Sequence, residues 1–98
     1  MRRFDPVRSF VHAIDRSEPG QADRLRRLML KCMPRYAGGV AICAAADEVQ
    51  DLLVSLRQAY RSGADPLRIK VLRRQMLQAV DELEALCENV PRRPQGRV

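Results

Sequence analysis

Two apolar stripes constrain this chain more than anything else in it. The first runs through Ile42, Ala46, Val49, Leu53, Leu56 and Tyr60, at alternating steps of four and three. The second runs through Ile69, Leu72, Met76, Ala79, Leu83, Leu86 and Val90, at alternating steps of three and four. This near-heptad spacing keeps one face of a helix turned towards a partner helix. Between the stripes lies Ser62-Gly63-Ala64-Asp65-Pro66. Gly63 is placed to end one helix in a left-handed cap, and Asp65-Pro66 to begin the next as N-cap and first-turn proline. The spacing therefore predicts a long antiparallel helical hairpin, with helices over about 40–61 and 66–89.

The remainder predicts two shorter helices. Asp5-Pro6 repeats the N-cap and proline pattern. Val7, Phe10, Val11 and Ile14 follow at i, i+3, i+4 and i+7, and the polar link Asp15 to Gly20 ends that helix. A second helix is expected over about 21–33, with Leu25, Leu28, Met29, Cys32 and Met33 on its apolar face. Pro34 ends or kinks it, and a kinked continuation into the third helix stays open. The start of the third helix, Val40 to Ala46, is apolar almost all round, so it is expected to be covered on several sides. There is no Thr or Trp, and Leu, Ala, Arg, Gln and Glu dominate the helical segments. The expected fold is all-α: an up-and-down bundle of residues 5–90, built on the long hairpin. A basic tail over 1–4 and a disordered basic tail over 91–98 flank it.

Charge is distributed unevenly. The chain of 98 residues carries 18 basic and 12 acidic residues, a net charge of +6. Five of the cations (Arg2, Arg3, Arg92, Arg93 and Arg97) lie in the tails, leaving 13 against 12 in the body. The strong basicity thus belongs mainly to the tails and does not by itself point to nucleic acid. Within the hairpin, folding back gathers Arg57, Arg61, Arg68, Lys70, Arg73 and Arg74 at the turn. The far end gathers Asp47, Glu48, Asp51, Asp81, Glu82, Glu84 and Glu88, with Lys31 and Arg35 set against them.

The six turn cations form the leading candidate site, because clustered Arg meets phosphate or an acidic partner well. Aromatic platforms for stacking single-stranded bases are scarce, with Tyr60 alone nearby. A secondary basic stripe, Arg24, Arg27, Lys31 and Arg35, lies on the second helix. The links around that helix do not make the short turn of a helix-turn-helix. Cys32, Cys43 and Cys87 lack metal-ligand spacing, and His12 is the one histidine, so no metal site is expected. The three cysteines are expected to be buried and inert, and Met29, Met33 and Met76 to be core filler. His12 is expected at the surface or rim, and Asp81-Glu82 on a solvated face. No cofactor motif, catalytic set, signal peptide or membrane-spanning run of about 20 apolar residues is present. A cytoplasmic setting follows from the odd, unpatterned cysteines.

Several segments together carry a family resemblance. They are Asp15-Arg16-Ser17-Glu18, Asp23-Arg24-Leu25-Arg26-Arg27, Ala44 to Leu53, Leu56-Arg57-Gln58-Ala59-Tyr60, and the closing helix from Leu77 to Leu86. They resemble the four-helix-bundle family of ribosomal-RNA intervening-sequence proteins and retroelement accessory variability proteins. The resemblance implies a ring-like homo-oligomer with a basic surface serving a reverse transcriptase or its RNA. The first helix is shorter here, the link from helix two to helix three is compressed, and no Gly-Trp closes helix four. The functional expectation is a non-enzymatic accessory or adaptor protein. It would self-associate or bind a helical protein partner, and contact RNA or DNA backbone or an acidic partner through its Arg clusters. A protein-interaction factor without nucleic acid, such as a secretion chaperone or phage-type inhibitor, is the alternative.

Overall fold

A computed structural model describes residues 2–34 and 38–89. Its four helices are α1 (Asp5–Ala13), α2 (Gln21–Cys32), α3 (Val40–Arg61) and α4 (Pro66–Glu88). The arrangement is all-α, as the periodicity predicts, and no described residue lies in a strand. The α3–α4 hairpin defines two poles: a tip at the turn, and a base where α4 ends. At the tip, Gly63 adopts φ +67°, and Asp65 Oδ1 accepts the Leu67 N–H at 2.9 Å. Both turn residues therefore do what their chemistry favours.

Long-range contacts set the course of the short helices. The Phe4 N–H donates to Glu84 at the base, whereas Arg73 and Tyr60 reach the carbonyls of Val11 and Ile14. Hence α1 climbs from base to tip, antiparallel to α4. The α2 helix descends, its last turn lying beside Cys43 and Ala46. Each helix packs against α-helical neighbours on two sides (α1 on α2 and α4, α3 on α2 and α4), which closes an up-down-up-down bundle. At 1.5 Å rise per residue, α1 and α2 span only about 14 and 18 Å against about 33 Å for α3. The link between α1 and α2 lies beside the tip, where Ser17 Oγ accepts from Arg61 Nε at 3.1 Å.

The core is one cluster. It takes Phe4, Val7, Val11 and Ile14 from the α1 segment, Leu25 and Met29 from α2, Val49, Leu53 and Leu56 from α3, and Met76, Val80 and Leu83 from α4. Burying each large side chain contributes roughly 1.5–3 kcal/mol. Late in α4 the buried stripe differs from the expected heptad. Val80, Glu84 and Cys87 are buried, while Leu86 is only partly so. An α-helix turns every 3.6 residues, so a strict 3.5-residue stripe drifts off the contact line over several turns.

Three further expectations are corrected, and one open alternative is settled. Asp5 is not the N-cap of α1; that position is Phe4. The Asp5 carboxylate instead accepts the Arg2 N–H at 2.9 Å and Arg8 Nη1 at 3.0 Å. Residues 2–4 are not a free basic tail, because Phe4 is wholly buried and Arg2 pairs with Glu84. Helices α2 and α3 are separate, since Met33 and Gly39 both have extended backbone. The apolar start of α3 is not covered on several sides: Val40 is 88% exposed, and Ala41, Cys43 and Ala44 are also exposed. The 91–98 tail, Val90 and Arg35 lie outside the described residues. No helix of the described residues is long and apolar enough to cross a membrane.

Candidate functional site

The six turn cations divide into two groups. Arg57 and Arg73 are half-buried, Arg57 holding the α1–α2 link and Arg73 the end of α1. Arg57 donates from Nη2 to the Glu18 carbonyl at 3.0 Å and from Nε to Ser17 Oγ at 3.3 Å. Arg73 donates from Nη1 to the Val11 carbonyl at 2.6 Å and from Nη2 to Tyr60 Oη at 2.7 Å. Tyr60 in turn donates to the Ile14 carbonyl at 3.2 Å. A cation at the last carbonyls of α1 satisfies acceptors that have no partner within the helix and suits the helix dipole. These two arginines are clamps. Arg61 is intermediate: its Nε donates to Ser17 Oγ at 3.1 Å, but the side chain is exposed.

Arg68, Lys70 and Arg74 form the second group. All three are exposed on the first turns of α4 and make no ion pair among the described residues. Arg68 lies on the α3 flank beside Gln58 and Ser62. An apolar cleft of about 300 Å³ opens at the same tip, lined by Tyr60, Ala64, Pro66 and Ile69. The link between α1 and α2 meets α3 beside this cleft, through Arg57, Tyr60 and Arg61. Because α4 starts with cations, its positive helix terminus adds to their field.

The secondary stripe on α2 is weaker. Arg24 pairs with Glu18 at 3.7 Å and lies 5.9 Å from the Phe10 ring centroid. Arg27 pairs with Asp23 at 3.6 Å, and Lys31 is exposed. The stripe is partly neutralised by acids of its own segment.

The base carries a charge cluster that sequence reasoning missed. The charge pattern groups Glu84 with the acids of the far end, but its side chain is only 1% exposed. It accepts Arg8 Nη2 at 2.6 Å and the Phe4 N–H at 2.8 Å, and Arg2 Nη2 stands 2.6 Å away. The Arg8 hydrogen bond, aided by the Phe4 N–H, overrides the opposing effect of burial and holds the Glu84 carboxyl down at about 2. The same contact pushes the Arg8 guanidinium higher still. Asp81 also accepts from Arg8, at 2.7 Å, so it is not simply solvated. Two acids of the base, Asp81 and Glu84, are thus met by Arg2 and Arg8 of the α1 segment. Lys31 makes no ion pair there among the described residues, and Arg35 is not described. The signal available in the sequence was Glu84 lying four residues after Val80 and three before Cys87, inside a buried stripe.

Gln21 was missed in the same way. It is buried, its Nε2 donates to the Arg16 carbonyl at 2.8 Å, and its Oε1 accepts the Glu18 N–H at 3.0 Å. It staples the link that Arg57 holds from outside. His12 is exposed, as expected. Cys32 and Cys87 are buried free thiols, pushed up by that burial. Cys43, expected to be buried, is exposed on α3. No cluster of three or more His, Cys, Asp or Glu among the described residues has the arrangement of a metal site. The chain matches no protein-family model, no curated protein and no solved structure.

Proposed function

We propose that this chain is a binding module, not an enzyme: a helical adaptor that docks the phosphate backbone of a nucleic acid against its tip. The observation that carries this is the exposure of Arg68, Lys70 and Arg74 on the first turns of α4, free of ion pairs among the described residues, while Arg57 and Arg73 are engaged by the α1 segment and the link that follows it. Fixed guanidinium and ammonium groups keep their protons near neutral pH, which suits holding an anion better than moving a proton. Contacts to phosphate position a partner without reading its sequence. With Tyr60 already hydrogen-bonded to Arg73 and Ile14, the tip favours a duplex backbone over stacked single-stranded bases. The three free cysteines fit a reducing, cytoplasmic setting.

The test is fluorescence anisotropy with a labelled duplex RNA and a labelled duplex DNA. Neutralising three phosphates predicts a fall in affinity of more than about tenfold between 50 and 200 mM salt. Replacing Arg68, Lys70 and Arg74 together with Ala should weaken binding by a similar factor and flatten the salt slope. Binding that ignores salt, or no binding to either duplex at low salt, would sink this reading. It would leave the protein-interaction factor (a secretion chaperone or phage-type inhibitor), which the exposed Leu30, Val40, Val54 and Leu67 favour.

A further inference from the structure

The antiparallel packing of α2 on α3 leaves a groove of about 280 Å³ on the outside of the bundle, away from the tip cleft. Met29 and Met33 line its α2 side, and Cys43 and Ala46 its α3 side. Leu30 is 64% exposed on one wall. Further along the other wall, Val54 shares the helix face of Cys43 and Gln50, at steps of seven and four, and is 55% exposed. Large apolar side chains on one exposed face mark a contact surface.

The charges of the two walls select the occupant. On the α2 side, Arg26 lines the groove and Arg27 follows it in the helix, and both turn to one acid, Asp23, at 3.4 and 3.6 Å. Two cations share one carboxylate, so that wall is net positive. On the α3 wall, Asp47 lines the groove and Asp51 stands one turn further on. Both are exposed and without an ion pair among the described residues, so this wall is negative. One face therefore carries both halves of a matching pair.

We propose that this groove is the interface for a second copy of the same chain, related by a two-fold axis running along the groove. Rotation about that axis lays the α2 wall of each copy over the α3 wall of the other. Arg26 and Arg27 then meet the Asp47 and Asp51 of the second copy, and Leu30 and Val54 meet the apolar floor between. A two-fold axis across the groove would set cations on cations and is excluded by repulsion. The contact is isologous, so it closes at two copies and builds no ring. The polar rim around an apolar centre is the ordinary anatomy of such an interface. The groove shares no lining residue with the tip cleft, so this interface is independent of the tip's phosphate-binding role.

Sedimentation equilibrium and light scattering of the whole chain give the test. The expected species has twice the 11.2 kDa chain mass, and its dissociation constant should rise at least tenfold on adding salt. Leu30→Glu should yield a monomer with an unchanged circular dichroism spectrum, since Leu30 lies outside the core. Two charge variants give a check that does not depend on Leu30. Arg26→Glu with Arg27→Glu makes both walls acidic, and Asp47→Lys with Asp51→Lys makes both walls basic. Each alone should be monomeric, and an equimolar mixture should form a heterodimer. A wild-type chain that stays monomeric at high micromolar concentration overturns the proposal. So does a dimer that survives Leu30→Glu, an assembly larger than two, or a mixture of the charge variants that stays monomeric.

Discussion

Glu84 shows how one side chain can tie a chain end to the middle of a fold. It is a carboxylate held by the Phe4 N–H, Arg8 and Arg2, with its pKa drawn to about 2. Its ordinary value is 4.5. A carboxylate whose pKa is lowered by folding stabilises the native state above its unfolded pKa, and that contribution is lost as pH falls through the folded value. The window is therefore about pH 4.5 down to about 2. The shift corresponds to roughly 3 kcal/mol at most. Glu84→Gln is expected to lower stability at pH 7 by about 2–3 kcal/mol, because Arg8 and the Phe4 N–H lose a charged acceptor. It should also shrink the loss seen between pH 5 and pH 3 in urea melts. An unchanged acid limb in the variant would show that other carboxylates govern it. Gln21 offers a second residue-scale test. Gln21→Ala leaves the Arg16 carbonyl and the Glu18 N–H without their partner and should cost about 1–3 kcal/mol in the same melts.

At the scale of elements, the hairpin turn and the clamps divide the work of the tip. Gly63 has φ +67° with open space where a Cβ would stand. Gly63→Ala should therefore cost about 1 kcal/mol through backbone strain alone, read as a lower urea midpoint at constant slope. Gly63→Asn should cost less, because Asn tolerates the left-handed region. The clamps and the open cations should separate cleanly. Arg73→Ala leaves the Val11 carbonyl with only the Ile14 N–H at 3.3 Å, frees Tyr60 from the guanidinium, and should destabilise by about 1–3 kcal/mol. The Arg68, Lys70 and Arg74 triple variant should stay within about 0.5 kcal/mol of wild type, as exposed substitutions do. If the triple variant melts earlier than Arg73→Ala, the assignment of clamps and open cations is reversed.

Across the whole molecule, what was legible in the sequence was whatever depends on local period and turn chemistry. The four helices, the Gly63 and Asp65 caps, and the stripes through Val49, Leu53, Leu72, Met76 and Leu83 all follow from spacing within one element. What was not legible depends on which helix lies alongside which. Arg57 and Arg73 have the same side chain as Arg68 and Arg74, and only the path of α1 and the link after it makes clamps of the first two. Glu84 sits among other acids of α4, and only α1 packing against that flank buries it. Cys43 differs from Cys32 and Cys87 because it lines the outer groove between α2 and α3 and does not enter the core. Phe4 was set aside with its basic neighbours, although its ring completes the base of the core. Phe4→Ala should accordingly cost about 3–5 kcal/mol by the measure of other buried aromatics.

An even number of alternating helices has a geometric consequence. Phe4 and Glu84 are neighbours, so the two ends of the described bundle meet at one pole and the tip carries only connecting turns. A label, surface tether or carrier protein attached at either end of the bundle would project the cationic turn outward, like the head of a pin. The same closeness makes the fold a candidate for circular permutation. A short Gly/Ser bridge across the base, with new termini cut at Gly63, would keep every helix in its place.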